Sequence, residues 1–263
     1  MRYAIAAAAL MLASCAPSTA PKTTSTGIMI NPAPVGVTGI PQRNETFSGT
    51  MLFLGRTILL PEGSWTVLNA DAVGSRAGLV AAFVSLVRHD GPLLHGLLDI
   101  GANVRPSSSG FALNPICTSS DVLWNDVRAA VPYGRQDCAG ISFLRPALWR
   151  ENAKSLNYQQ IQALDALGVQ TPNIMVALSV NETNAGWFMS ETLYLNPDAE
   201  GITPDLSTQR AQSTWAAFNL PKDPQKQQFV DRLKAKADPI RANLRHLLDT
   251  PPPYVPASGL TPA

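Results

Sequence analysis

Apolar and polar positions repeat with two different periods along this chain, and the changes of period mark out its elements. From residue 47 the pattern is extended. FSGTMLFL (47–54) and the runs 57–60 and 65–68 are rich in β-branched and aromatic residues and read as strands, with Pro61-Glu62-Gly63 as a turn between the last two. Runs 78–88 and 93–104 flank Asp90-Gly91, a strong short hairpin signal. With those two residues as the loop, His89 faces Pro92 and Leu86 faces His95. One face of the hairpin then carries Phe83, Val87, Leu94, Leu98 and Ile100. The other carries Val84, Leu86, Leu93 and Leu97, with His95 and Asp99 among them. Both faces are largely apolar, as expected of a central hairpin covered on each side.

Residues 117–138 read as a clasped hairpin with Trp124 packed inward, and 141–144 as the next strand. A second hairpin runs through 174–180 and 187–195 around the polar segment 181–186. Helical periodicity appears in two places. Asn157 reads as the N-cap of YQQIQALDALG, with Tyr158, Ile161, Leu164 and Leu167 on one stripe and Gly168 closing it. A short helix is expected near 214–218. A long one is expected over 224–248, with Pro224 at its first position after Asp223. Phe229, Val230, Leu233, Ala237, Ile240, Leu244, Leu247 and Leu248 fall on one arc of that helix, and Pro239 lies off it, where it should kink the helix. Arg232 and Lys236 flank one edge of the arc, and Lys234, Arg241 and Arg245 flank the other. Basic stems commonly cover apolar surface in this way. The fold class expected from these elements is α+β: antiparallel hairpins forming a sheet or flattened barrel, two helices packing over one face, and one disulfide.

The two ends have a different texture. MRYAIAAAALMLASC places Arg2 before an apolar run too short to span a bilayer, then closes on Leu12-Ala13-Ser14-Cys15. This resembles the signal and four-residue lipobox of bacterial lipoproteins. The resemblance implies removal of residues 1–14, lipidation of Cys15 and stable anchoring by several acyl chains. Ala16 in place of aspartate implies the periplasmic face of the outer membrane rather than retention at the inner one. The competing reading is an ordinary secretory signal cut after Ser18-Thr19-Ala20, which Pro21 disfavours. Residues 15–43 are rich in Pro, Thr, Ser and Gly and read as a flexible tether. Residues 44–250 read as one domain, and 251–263 as a disordered Pro-rich tail. The string LPEGSW (60–65) resembles openings in secreted bacterial proteins and implies no activity.

Charge changes this picture little. Twenty Lys and Arg against 19 Asp and Glu leave a net charge of +1, so no whole-molecule field points to nucleic acid. With one of the three cysteines assigned to lipid, Cys117 and Cys138 form an even pair in an oxidising compartment and are expected to be disulfide-bonded. Neither a zinc-ligand nor a redox Cys-x-x-Cys spacing accompanies them, so no metal or cofactor is expected.

Catalytic signatures of the common hydrolase, zincin, P-loop and penicillin-binding classes are absent from the sequence. The polar candidates are His95, Asp99 and His89. His95 and Asp99 stand four residues apart on one strand, about 13 Å, too far for direct contact. His89 reads as a turn residue, and His246 sits favourably near the C-terminus of the last helix. The expected function is a lipid-anchored envelope protein with a non-catalytic binding or assembly role. Its partners would be the membrane, through its lipid, and an envelope protein. A periplasmic ligand carrier with an apolar cavity, or an envelope hydrolase with an unrecognised site, are the alternatives.

Overall fold

The computed structural model describes residues 39–74, 80–153, 155–207 and 209–250. Cys15, the signal, most of the tether and the Pro-rich tail therefore lie outside the described residues. Eight strands, β1 (Thr46–Phe53), β2 (Arg56–Gly74), β3 (Val80–Asp90), β4 (Leu93–Asn103), β5 (Trp124–Ala130), β6 (Gln136–Leu144), β7 (Met175–Thr183) and β8 (Phe188–Leu195), form one antiparallel sheet. Its order is β1-β2-β3-β4-β8-β7-β6-β5. Two four-stranded meanders are thus zipped together along their last strands, β4 against β8. The sheet does not close, and β1 and β5 are its two edges. No described helix is long and apolar enough to cross a membrane.

The α+β class stands, with helices α1 (Leu156–Ala166) and α2 (Pro224–Asp249), but the two helices lie on opposite faces of the sheet rather than on one. Successive strand residues point to opposite faces. Val84, Leu86, Leu98, Ile100, Val176 and Leu178 meet Phe229, Val230, Leu233 and Leu244 of α2 in the larger core. Val87, Leu94, Leu97 and Met175 meet Ile161 and Leu164 of α1 in the smaller one. Pro239 sits exposed inside α2, where an interior proline costs about 3 kcal/mol. Each fully buried Leu, Val or Phe contributes about 1.5–3 kcal/mol, so several docked side chains outweigh it.

Local readings change where tertiary pairing overrides them. Pro61-Glu62-Gly63 does not end a strand. β2 continues through it for 19 residues, and the register against β1 jumps there, Ser48 facing Ser64 and Thr50 facing Leu59. The excess residues bulge out, the indole of Trp65 donates to the Pro61 carbonyl (2.9 Å), and Gly63 takes φ 115°. In the central hairpin the loop is Gly91-Pro92, not Asp90-Gly91. Asp90 faces Leu93, and a bulge beside His89 brings Leu86 opposite Leu98 and Ser85 opposite Asp99. Gly91 supplies the positive φ of 52°, and Pro92 sits where no ladder donor is needed. The shift sorts the side chains differently: Val84, Leu86, Leu98 and Ile100 share the α2 face, while Val87, Leu94, Leu97 and Asp99 lie on the α1 side. Helix α1 is capped by Ser155, whose Oγ accepts from the Tyr158 N–H (3.1 Å), two residues before the expected Asn157. Leu167 is exposed, and Gln160 takes the buried place on that helix face. The short helix expected near 214–218 is a turn between 3-10 segments Arg210–Gln212 and Leu220–Lys222.

Candidate functional site

The α1 side of the sheet is only half covered by α1, and the uncovered half is polar. Register explains why. Asn69 faces Ser85, Ser85 faces Asp99, Asp99 faces Thr192, and Thr192 faces Ser179, so one row across β2, β3, β4, β8 and β7 carries only polar side chains. From Ser85 to Ser179 this row spans three inter-strand steps, about 14 Å. The neighbouring row on the same face holds Gly101, Ser190 and Asn181.

The row is hydrogen-bonded along its length. The Gln160 amide of α1 donates to Asp99 Oδ1 (2.6 Å) and to Ser85 Oγ (2.8 Å). The Thr192 hydroxyl donates to Ser179 Oγ (3.1 Å). The Tyr194 hydroxyl joins Asp99 and Thr192. Burial pushes the Asp99 carboxyl above its ordinary range, with the Gln160, Ser85 and Tyr194 hydrogen bonds acting against it. Burial, and after it the charge and hydrogen bond of Asp99, raise the Tyr194 hydroxyl well above its ordinary value.

Two walls turn this floor into a trough. One is the start of α1, with Leu156, Asn157 and Gln160. The other is the segment around the 3-10 helix Pro115–Cys117, pinned to β6 in three ways. Cys117 is bonded to Cys138, with Cα atoms 5.3 Å apart. Gln136 receives the Asn114 N–H (2.9 Å) and donates to the Phe111 and Ala112 carbonyls. Gly140 leaves room for Ile116, since a Cβ there would lie 2.4 Å from Ile116 Cδ1. Asn114 also donates to Asn181 Oδ1 (3.1 Å), tying this wall to the floor. At the rim Arg210 is neutralised by Asp121 (2.6 Å), donates to the Phe143 carbonyl (2.6 Å), and lies 4.2 Å over the Phe143 ring. The trough comprises a hollow of about 430 Å³ beside the disulfide wall and one of about 200 Å³ beside α1. Ser190 and Thr192 line both, so the two adjoin.

The sequence-derived candidates separate in space. Asp99 sits in the floor. His89 is exposed at the hairpin tip, its Nδ1 2.9 Å from the Gly91 carbonyl. His95 is the half-buried, unpaired residue of the bulge, and its carbonyl accepts from the Asn196 N–H (3.0 Å). The Asp99 carboxyl is held by Gln160, Ser85 and Tyr194 rather than by an imidazole. Sequence reasoning missed Ser85, Gln160, Ser179, Ser190, Thr192 and Asn181. For the strand residues the only signal was a polar interruption of otherwise apolar strands, and Gln160 on α1 gave none.

A second charged cluster lies on the α2 face. Asp137 and Glu182 face each other across β6 and β7. Arg241 approaches Asp137 (Nε to Oδ1, 2.6 Å) and Asp126 (2.9 Å), and Arg245 reaches both Asp137 and Glu182. Arg241 is 2% exposed, so it is not the solvated flank of a buried stripe that the helical wheel predicts. Burial and the Asp137 charge push the Glu182 carboxyl up to about 7. Among the described residues no cluster of three or more His, Cys, Asp or Glu could hold a metal ion.

No family model, curated protein or solved structure matches this chain.

Proposed function

We propose that this chain is a lipid-anchored cell-envelope protein whose domain binds a small polar ligand in the trough between α1 and the disulfide-pinned wall. The observation that supports binding is the row Ser85–Asp99–Thr192–Ser179, which lays hydroxyls and one carboxyl along one face without placing an imidazole or thiol against the Asp99 carboxyl. Such a floor holds and orients a ligand through hydrogen bonds, with the α1 and 114–122 walls limiting its size. A carrier for apolar molecules finds less support, because the larger hollow is lined by Asn114, Ser119, Ser142, Ser179, Asn181 and Thr192. Anchoring rests on Leu12-Ala13-Ser14-Cys15, and placement at the periplasmic face of the outer membrane on Ala16.

Intact mass and membrane fractionation of the wild type beside Cys15→Ala test the anchor. An acylated N-terminal cysteine, with membrane recovery lost in the variant, is the expected result. A soluble wild type beginning at Pro21 would overturn the lipid anchor. Native mass spectrometry of the protein released from membranes tests the trough. A small adduct present in the wild type and missing from Ser190→Leu is expected, and an adduct insensitive to Ser190→Leu would place binding elsewhere.

A further inference from the structure

Resting on the reading of the trough as a binding site, we infer that its ligand is an uncharged, hydroxyl-rich molecule, a mono- or disaccharide, lying across β3, β4, β8 and β7.

Charge comes first. The trough has one ion pair at its rim, Arg210 with Asp121, and that pair is already closed at 2.6 Å. In the floor the carboxyl of Asp99 is enclosed by a donating amide and two hydroxyl groups. An anionic ligand meets no unpaired cation in this lining, and a cationic one meets a carboxyl already committed. A charged ligand would lose its hydration without a partner to replace it.

Hydrogen-bonding capacity comes second. Serine and threonine hydroxyls both donate and accept, so a run of them is matched by a ligand whose groups do the same. Ser190 and Thr192 line both hollows, and Ser85 and Ser179 lie at the same register level on either side of Thr192. Two amides bordering the floor are unsatisfied in complementary senses. Gln160, 1% exposed, has an Oε1 with no donor, and Asn181, 4% exposed, has an Nδ2 with no acceptor. Gln160 borders the smaller hollow and Asn181 the larger. A buried polar atom left without a partner costs about 1–3 kcal/mol. A ligand hydroxyl that turns either amide toward it can supply the missing donor to Gln160 or the missing acceptor to Asn181. A polyol can answer both at once with a single type of group.

Shape comes third. The polar row runs across the strands for about 14 Å between Ser85 and Ser179. The larger hollow, about 430 Å³, falls within the range of small-ligand sites. Apolar groups of Pro115, Ile116 and Val122 lie among the polar groups. A sugar ring presents the same mixture of hydroxyl edge and C–H face.

The test is saturation-transfer NMR and calorimetry on the purified protein with maltose, cellobiose and N,N′-diacetylchitobiose, and with N-acetyl-trialanine amide as a neutral peptide control. Binding of at least one disaccharide is expected, weakened at least tenfold by Asn181→Leu and abolished by Ser190→Leu. Thermal unfolding of each variant is measured alongside. Ser190→Leu fills a partly exposed position and is expected to keep the wild-type midpoint, so its loss of binding reports the trough rather than misfolding. Disaccharide binding that survives Ser190→Leu in a folded protein overturns the inference. Peptide binding lost in Ser190→Leu, with no saccharide bound, overturns the saccharide class while leaving the trough a binding site. No binding by any probe, together with no Ser190-dependent adduct in the native mass spectrum, overturns both readings.

Discussion

Arg241 of α2 and Asp137 of β6 meet inside the protein, Nε to Oδ1 at 2.6 Å, with side chains 2% and 1% exposed. The approach is a charge contact out of hydrogen-bond alignment, since neither atom completes a hydrogen bond. The guanidinium is aligned instead on Asp126, whose carboxylate (2.9 Å) and carbonyl (3.0 Å) it donates to. One arginine therefore fastens α2 to both β6 and the edge strand β5.

Removing that arginine takes the one buried cation from Asp137 and leaves it only Arg245, 39% exposed, and Arg135 at 3.7 Å. Arg241→Met is expected to lower unfolding free energy by about 3–5 kcal/mol in urea titration. Adding Asp137→Leu to Arg241→Met should recover part of the loss. A single-variant cost near zero would show that the pair contributes nothing net.

Glu191 gives the protein a pH dependence of definite sign. It is 1% exposed on the α2 face, and burial pushes its carboxyl up to about 8. Because the folded value lies above the unfolded one, its contribution is fully present below pH 4.5 and is lost as pH rises through 8. Glu182, raised to about 7, acts in the same direction. The thermal midpoint should rise as pH is lowered from 8 to 5, and Glu191→Gln should be more stable than wild type at pH 8. A wild-type midpoint that falls over that range would refute the assignment.

Asp205 has the opposite sign. It accepts from the Ser213 hydroxyl (2.5 Å) and the Ser207 and Thr214 N–H groups (2.9 and 2.8 Å). These hydrogen bonds overcome its burial and lower it to about 2. Its contribution is present above pH 3.8 and lost as pH falls through 2. Acid titration of Asp205→Asn by circular dichroism should show a shallower loss of structure between pH 4 and 2 than the wild type.

The Cys117–Cys138 bridge closes a loop with a sequence separation of 21. In the chain-entropy account it contributes about 3 kcal/mol. Cys117→Ser with Cys138→Ser should lower stability by about that amount. It should also loosen the 114–122 wall, read as faster hydrogen exchange at the Ile116 and Cys117 amides. Unchanged exchange there would mean that Gln136 and Asn114 hold the wall without the bridge.

Gly140 is the seat of that wall. Gly140→Ala places a methyl group against Ile116 and should cost about 1–3 kcal/mol through overpacking, with a change in Trp124 fluorescence as the neighbouring strand adjusts. Full stability in that variant would show that Ile116 can turn aside freely.

Much of the frame was readable from local pattern. Alternation marked the strands of both hairpins, the arc from Phe229 to Leu248 marked α2, and the even cysteine pair anticipated the bridge that the structure contains. These features follow from interactions within a few residues or from simple counting, so a one-dimensional string carries them. The register of the central hairpin did not follow, because a bulge beside His89 shifts the pairing and no local rule places a bulge. The trough was invisible for the same reason. Ser85, Asp99, Thr192 and Ser179 come from four strands, and only the pairing of β4 with β8 sets them in one row. Arg241 looked like a solvated flank because a helical wheel shows which way a side chain points but not what waits there. The sequence by itself determined strand and helix content, the amphipathic face of α2 and the cysteine partnership. Tertiary structure alone decided which polar groups share a face and which charges are buried, since both depend on strand order and register across the whole sheet.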